Sequence, residues 1–286
     1  MKNFHDKVAA ITGAGSGIGR QLAIQLAQRG CHLALSDVDV AGLDETARQA
    51  AGVAKVRITT CRLDVADRAA VFDWAEQVVA DHGRVNLIFN NAGVALSATV
   101  ERMRLQDFEW LMNINFWGVV HGTQAFLPYL KTAGEGHIVN TSSLFGLLTV
   151  PTQSAYHAAK FAVRGFTESL RQELDMLACG VSATCVHPGG IKTAIARNAR
   201  TDDSIAELGL NPATAARKFE RNFITSAERA AAIILKGVRR NARRVLIGPD
   251  AVILDKLQRL LPETSSRLLA YTLGRQTRSR PSVQTE

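Results

Sequence analysis

Apolar and polar positions alternate in two different rhythms along most of this chain. Short apolar runs, five to nine residues long, lie at residues 7–12, 31–36, 55–63, 85–90, 137–141 and 181–187. Between them lie longer segments with helical spacing of apolar residues, at 21–29, 41–51, 69–82, 105–130 and 156–177. The short runs are continuous in apolar character, which is typical of strands that are covered on both faces. Strands alternating with helices predict βαβ units and a parallel sheet.

The last third of the chain is less regular. Residues 193–225 are polar and helix-prone, and we expect them to form an insertion over the carboxyl edge of the sheet. A helix is predicted at 227–241 and a last strand at 244–247. The pattern therefore predicts an α/β fold, a Rossmann-type doubly wound parallel sheet flanked by helices, as a single domain over residues 1–250.

A C-terminal helical extension is predicted over residues 251–286. Its first part, 251–261, is amphipathic and ends before Pro262, and a second short helix is predicted at 265–273. We expect Lys256 and Arg259 to lie opposite its leucines. Such a helix packs on its own domain or on a partner subunit more often than on a bilayer, so peripheral membrane contact is the less favoured alternative.

Composition and charge refine this outline. The chain has 286 residues, of which 47% are hydrophobic and 21% charged, enough to build a sizeable core. The net charge is +8, and the segment 236–280, with eleven basic and three acidic residues, accounts for all of it. A basic patch attracts phosphate groups, but it is usually a solvated surface, and no nucleic-acid partner is expected.

The cysteines indicate neither a disulfide framework nor a metal site. Cys31, Cys61, Cys179 and Cys185 are scattered, without a Cys-x-x-Cys pair or a cluster with histidine. The N-terminus lacks an apolar signal-peptide core, and no apolar stretch is long enough to span a bilayer. We therefore expect a cytoplasmic protein that holds no metal.

A glycine-rich turn comes after the first predicted strand. Gly13, Gly17 and Gly19, with Ser16 and Ile18 between them, stand at the junction of that strand with a helix. Glycine allows positive φ there and lets backbone amides approach a pyrophosphate at the helix N-terminus. An ordinary strand–helix turn is the alternative, but the place of the loop at the first βα junction favours a dinucleotide.

An acidic residue closes the second predicted strand. Asp37 lies 18 residues after Gly19. A carboxylate at this place accepts hydrogen bonds from the adenosine ribose and repels a 2′-phosphate. No basic residue directly precedes Gly17 or comes directly after Asp37, so the sequence favours NAD, with NADP as the alternative.

Acid–base chemistry is indicated by a tyrosine and a lysine four residues apart. Tyr156 and Lys160 share one helical face, and a cation near a phenol favours the phenolate. Ser143 lies 13 residues upstream, just past a predicted strand, where its hydroxyl could polarise a substrate oxygen. Asn115 falls inside a predicted helix, where asparagine is unfavourable unless its amide has a task such as holding a water.

Together these residues resemble the short-chain dehydrogenase/reductase superfamily over residues 7–248. The resemblance implies that Asn115, Ser143, Tyr156 and Lys160 are catalytic. It also implies cofactor contacts beyond the glycine loop and Asp37, from Tyr156 and Lys160 themselves and from three further segments. Those segments contribute Asp64 and Val65; Asn91, Ala92 and Gly93; and Pro188, Gly189, Ile191 and Thr193.

The resemblance implies a mechanism as well. Tyr156, as phenolate, takes the hydroxyl proton of an alcohol whose carbinol hydride goes to C4 of the nicotinamide. Ser143 holds the substrate oxygen, Lys160 lowers the pKa of the tyrosine and binds the ribose, and Asn115 positions a water. Members of this family usually associate through two long helices, here 105–130 and 156–177, so a homodimer or homotetramer is expected.

The substrate is predicted from the segments that should border the pocket. Leu144, Phe145, Leu147 and Leu148 come after the serine, and Val94, Ala95 and Leu96 come after the asparagine–glycine segment. These side chains favour a lipophilic secondary alcohol or ketone, whether steroid-like, aryl or aliphatic, unless they are simply core. The alternative function is a catalytically silent dinucleotide sensor, which the intact tyrosine–lysine pair makes less favoured.

Overall fold

Among the described residues, the central sheet has seven strands, all parallel. The computed structural model describes residues 1–221, 223–264, 267 and 271. The main strands are β1 (Val8–Thr12), β2 (His32–Asp37), β3 (Ile58–Arg62), β4 (Leu87–Asn90), β6 (Gly136–Thr141), β7 (Val181–Pro188) and β11 (Arg244–Ile247). Their order across the sheet is β11-β7-β6-β4-β1-β2-β3. This order reverses between β1 and β4, which confirms the doubly wound Rossmann-type fold.

Helices cover both faces of this sheet. They are α1 (Gly17–Ala27), α2 (Val40–Val53), α3 (Arg68–His82), α4 (Leu105–Met112), α5 (Gly118–Thr132), α6 (Ser154–Leu177), α7 (Pro212–Glu220), α8 (Ala227–Arg239) and α9 (Pro249–Leu260). Side chains of α1, α2 and α8 form one core with the sheet, and those of α3, α5 and α6 form another. Both faces of the central strands are thus buried, as their continuous apolar character indicates. None of the described helices is both long and apolar enough to cross a membrane.

The predicted helix 105–130 is interrupted. A π-helical turn, Asn113–Trp117, separates α4 from α5, and α5 runs on to Thr132. A π turn adds about one residue to the helical turn, so a sequence pattern analysed with a period of 3.6 residues does not show it. Such turns occur frequently at functional sites.

The polar segment 193–225 returns to the domain through two small parallel pairings. Its strand β9 (Arg200–Thr201) pairs with β5 (Leu96–Ser97), and β10 (Thr225–Ser226) pairs with β8 (Ile191–Lys192). The segment therefore lies against the loops after β4 and β7, at the carboxyl edge where it was expected.

The first helix of the extension packs on its own domain. Ala251 and Leu254 of α9 lie against Leu246 and the segment after β6. Asp255, which is 7% exposed, holds the helix through a 2.6 Å ion pair with Arg244. The predicted second helix at 265–273 falls largely outside the described residues.

The outer surface of α9 differs from its prediction. Ile253 and Leu260 are 64% and 79% exposed, and exposed Lys256 lies between them in the sequence, on their side of the helix. Lys256 therefore lies opposite Leu254, the leucine that packs on the domain, but on the same side as Leu260, so the prediction that it lies opposite the leucines holds for Leu254 and not for Leu260.

A buried amide pair joins the strands that carry the site. Asn90 donates a 2.8 Å hydrogen bond to Asn140 Oδ1, and Asn140 donates a 3.0 Å bond to Thr167. Gly122 of α5 makes room for this network, since a Cβ built there would lie 2.1 Å from Asn90 Oδ1.

We predict that Gly122→Ala destabilises the protein by about 1–3 kcal/mol, because the methyl group must displace the buried amide pair. Gly52→Ala is the matched control: it is also helical, and a Cβ there meets nothing within 4 Å. The control should stabilise the protein by about 0.4–1 kcal/mol. Urea unfolding measures both, and equal effects of the two substitutions would contradict the packing described.

Candidate active site

The carboxyl ends of β1 and β4 are joined by a side-chain clasp. The Thr12 hydroxyl accepts hydrogen bonds from the amides of Asn91 (3.0 Å) and Ala92 (3.1 Å). In return, the Asn91 side chain donates to the carbonyls of Thr12 (3.2 Å) and Gly13 (3.1 Å). The start of the glycine loop and the segment after β4 are therefore fixed together. Thr12 was not among the predicted site residues.

The glycine loop has no room for side chains. Gly13 and Gly17 have φ of 65° and 53°, in the left-handed region that favours glycine. A Cβ on Gly13 would lie 2.7 Å from the Cα of Ala92, and one on Gly19 would lie 2.1 Å from the Gly13 carbonyl oxygen. Ser16 is the exposed N-cap of α1 and makes no capping bond with its side chain there, and Ile18 behind it packs toward the core. Exposed amides at a helix N-terminus fit a pyrophosphate.

Arg20 holds this loop from behind. Its guanidinium donates to the Gly15 carbonyl, to the Gly42 carbonyl at 3.2 Å and to the Thr46 hydroxyl at 2.9 Å. The sequence pattern does not reveal this residue, because its partners lie on the next helix.

Asp37 ends β2 at the same edge of the sheet as the glycine loop. Its Oδ2 accepts a 2.8 Å hydrogen bond from the Gly15 amide, and its Oδ1 accepts from Asp39. Each carboxylate oxygen has a second lone pair for a ribose hydroxyl. In the sheet, Asp37 is paired in register with Arg62 of β3, so a basic residue does stand beside it, although none adjoins it in sequence.

Asp64 and Val65 come after β3 at the same edge. Asp64 is exposed and accepts a 2.9 Å bond from the Ala66 amide, which orients its carboxylate. Val65 is buried and packs on Gly118, where a Cβ would lie 2.7 Å from its Cγ2. The arrangement suits an adenine ring at this end of the cleft.

The segment after β7 forms the opposite wall. Pro188 ends the strand, and the Gly189 amide donates a 2.8 Å bond to the Ile247 carbonyl. Ile191 is buried in β8, and the Thr193 methyl lies 3.0 Å from a Cβ built on Gly17. Thr193 thus faces the glycine loop across the cleft.

Ser143 and Tyr156 meet at the carboxyl edge of β6. Ser143 caps a 3₁₀ turn, Leu144–Gly146, and its hydroxyl accepts from the Phe145 amide at 3.1 Å. Tyr156 opens α6, and the Phe145 ring meets the tyrosine ring edge-on, with 6.3 Å between centroids. Burial raises the pKa of Tyr156 to about 12, and a hydrogen bond with Ser143 opposes that rise. Tyr156 nevertheless keeps some exposed surface, as a group that faces a cleft must.

Lys160 is buried one helical turn further along α6. It is 3% exposed, its Nζ donates a 2.8 Å bond to the Thr141 carbonyl, and it lies 5.6 Å from the Tyr156 ring centroid. Burial lowers the pKa of Lys160 to about 8. Burial is thus the largest cause of both pKa shifts, and a role of Lys160 in lowering the pKa of the tyrosine stays a prediction.

Asn115 lies in the π turn and binds backbone. Its Oδ1 accepts from the Val94 amide at 2.8 Å, and its Nδ2 donates to the Val94 carbonyl at 2.9 Å. Val94 uses one lone pair of the amide oxygen and one N–H of the amide nitrogen, so one of each is left and the water remains a prediction. A Cβ on Gly93 would lie 3.2 Å from Asn115 Oδ1 and 3.7 Å from Lys160 Nζ, so all three residues border one space.

Most of the predicted pocket leucines are core. Leu144, Leu147 and Leu148 are no more than 6% exposed and pack with Ala251 of α9. Leu96 is 3% exposed. Leu147 and Leu148 line a cavity with Phe161 and Gln258, but the lining of that cavity includes neither Ser143 nor Tyr156. Leu144 is core because α9 packs against it, and Leu96 is buried in a different cluster.

The parallel sheet, the glycine loop and the tyrosine–lysine pair at one edge define a dinucleotide-binding α/β oxidoreductase. The chain belongs to the short-chain dehydrogenase family, whose model matches residues 7–204. This confirms the resemblance found in the sequence.

Three relatives support the assignment. A protein of Mycobacterium tuberculosis named as the oxidoreductase SadH is 50% identical over 271 residues, covering 94% of this chain and 96% of its own. The CLA biosynthesis dehydrogenase/reductase of Lactiplantibacillus plantarum is 34% identical over 195 residues, 68% of either chain. The crystal structure of a short-chain dehydrogenase/reductase from Burkholderia phymatum in complex with NAD superposes with a TM-score of 0.84. It is 30% identical and the match covers 92% of this chain and 96% of that one.

The lowered pKa of Lys160 predicts a pH-dependent stability. The unfolded lysine keeps its proton to about pH 10.4 whereas the folded one loses it near 8, so the free energy of unfolding should rise in that window. Between about pH 7.5 and 9.5, the wild type should gain about 2 kcal/mol relative to Lys160→Met, which lacks the titrating group. Urea unfolding at the two pH values measures the difference. Parallel behaviour of the two proteins would show that burial does not shift the lysine.

Proposed function

We propose that this protein interconverts secondary alcohols and ketones with a nicotinamide dinucleotide, and that Tyr156 is its acid–base group. One observation supports this most directly: Ser143, Tyr156 and Lys160 converge at the carboxyl edge of the sheet, and Lys160 lies near Gly93, in the segment that Asn91 ties to the glycine loop.

Each residue has a task in alcohol oxidation. Ser143 Oγ donates a hydrogen bond to the substrate oxygen, and the Tyr156 phenolate oxygen takes the hydroxyl proton. Lys160 carries positive charge beside the phenol and exchanges its own proton near neutral pH. Asn115 fixes the backbone of Val94, a residue of the apolar cluster that includes Tyr156. The dinucleotide, when bound, supplies the hydride acceptor, and ketone reduction is the reverse.

NAD is the proposed cofactor. Asp37 supports this, because its carboxylate would repel a 2′-phosphate at the ribose position. Arg62, paired in register with Asp37, is the feature that favours the alternative, NADP. The NAD complex of the Burkholderia phymatum relative is consistent with the first choice.

We propose a lipophilic substrate, and this proposal rests on fewer residues than the sequence suggested. Phe145 and Tyr156 pack edge-on, and Val94 and Met103 belong to the apolar cluster around Tyr156. The nearby Arg104 and Arg200 are both paired with Asp107, so they are poor anchors for an anionic substrate.

We further propose a homodimer or homotetramer in the cytoplasm. Trp117 and Phe161, on the two long helical segments expected to associate, are 47% and 38% exposed. All four cysteines are free, which suits a reducing compartment.

The test is a panel of secondary alcohols and ketones with NAD and NADP, monitored through nicotinamide absorbance. We expect turnover to be faster with NAD and with apolar substrates, and Tyr156→Phe to lower it by at least about 10³-fold while NAD binding persists, since only the proton donor is removed. Binding without turnover by the wild type, on the whole panel, would instead identify a dinucleotide sensor.

A further inference from the structure

Asp250 connects the C-terminal helix to the turn that faces the glycine loop. It lies in the first turn of α9, and its Oδ2 accepts a 2.7 Å hydrogen bond from the Gly190 amide. Sixty positions separate the two residues. The bond therefore ties the turn after β7 to an element that the sequence pattern presents as a separate extension.

The space around this carboxylate is kept open by glycine. A Cβ on Gly189 would lie 2.2 Å from Asp250 Oδ2, and one on Gly248 would lie 2.3 Å from Oδ1. Gly248 also has φ of 101°, which side chains other than hydrogen rarely allow. The backbone approaches the Asp250 carboxylate closely from two sides.

An acidic side chain is favourable in the first turn of a helix, but the second oxygen of Asp250 is in an unfavourable place. Its Oδ1 is buried and has no hydrogen-bond partner among the described residues. A buried acceptor without a partner costs free energy, which a side chain selected only for packing would avoid. The other oxygen of the carboxylate, Oδ2, fixes the position of the Gly190 amide.

The Gly190 amide matters because the turn leads directly into the cofactor wall. Ile191 pairs with β10, and Thr193 lies against Gly17 across the cleft. Through Ala251, the same helix packs on the leucines behind Ser143. The start of α9 thus contacts both the turn that leads to Thr193 and the leucines behind Ser143.

We propose that Asp250 is a positioning residue that sets the distance between the segment Gly189–Thr193 and the glycine loop, and thereby places the nicotinamide end of the dinucleotide. This inference rests on the proposed function. It gives the start of α9 a role in the reaction, although no atom of Asp250 need touch the substrate.

The experiment compares Asp250→Ala, Asp250→Asn and Asp255→Asn in the full chain. Asp255→Asn is the matched control, because it weakens the Arg244 contact that anchors α9 without touching the turn. Two readouts are used: hydrogen exchange at the Gly190 amide in the protein alone, and dissociation constants for NAD and for ADP-ribose, which lacks the nicotinamide.

In Asp250→Ala, we expect faster exchange at Gly190 and NAD binding weakened about tenfold, the factor typical of losing one charge-assisted hydrogen bond, with ADP-ribose binding unchanged. Asp250→Asn keeps an acceptor and should stay within about threefold of the wild type on NAD. Asp255→Asn should lower the melting temperature and leave both ligands unaffected.

Three results would overturn the proposal. They are an unchanged exchange rate at the Gly190 amide in Asp250→Ala, equal weakening of NAD binding and ADP-ribose binding in that variant, or NAD binding by Asp250→Asn as weak as that by Asp250→Ala. Failure of the wild type to bind either ligand would instead overturn the proposed function, and the role of Asp250 at the cofactor with it. The exchange measurement does not need a ligand, so the two failures are distinguishable.

Discussion

Tyr156 and Lys160 are both largely removed from water at one edge of the sheet. This loss of water raises the pKa of the phenol to about 12 and lowers that of the ammonium to about 8, so it drives both groups toward their neutral forms. The hydrogen bond with Ser143 opposes the shift of the tyrosine pKa only in part. A charge becomes favourable here when another charge or donor enters the cleft, which is the condition under which an acid–base residue should act.

The rest of the fold serves to bring this pair to the cleft. The parallel sheet places the ends of β1, β4, β6 and β7 at one edge, and the Thr12–Asn91 clasp fixes the first two ends. β6 supplies Ser143 and the carbonyl for Lys160, and α6 supplies the tyrosine and the lysine. The π turn places the Asn115 amide on Val94, and α9 covers the segment behind Ser143.

Much of this arrangement could be predicted from the sequence, because the strands are continuous apolar runs and the chemistry-bearing residues lie just after strand ends. Parallel strands bring their carboxyl ends together, so residues just after strand ends, such as Gly13 and Ser143, lie along one edge of the sheet. Boundaries moved by a few residues, as for β3, which begins at Ile58 rather than at residue 55.

What the sequence could not show depends on contacts between distant residues. Arg62 adjoins Asp37 only through the order of the sheet, and Asp250 reaches Gly190 only through the path of α9. Leu144 looks like a pocket residue until α9 packs against it. The tyrosine–lysine spacing indicates that the two groups are close, but not that burial shifts the pKa of each.

The most direct test of this account is the ionisation of Tyr156, measured as phenolate absorbance in the wild type minus Tyr156→Phe, with and without NAD. Burial predicts no difference between the two proteins up to about pH 10 in the absence of cofactor, since the phenol stays protonated. With NAD bound, a single phenolate should appear in the wild type at a lower pH. Ionisation of Tyr156 below about pH 10 in the free protein would contradict the account, as would curves that NAD leaves unchanged.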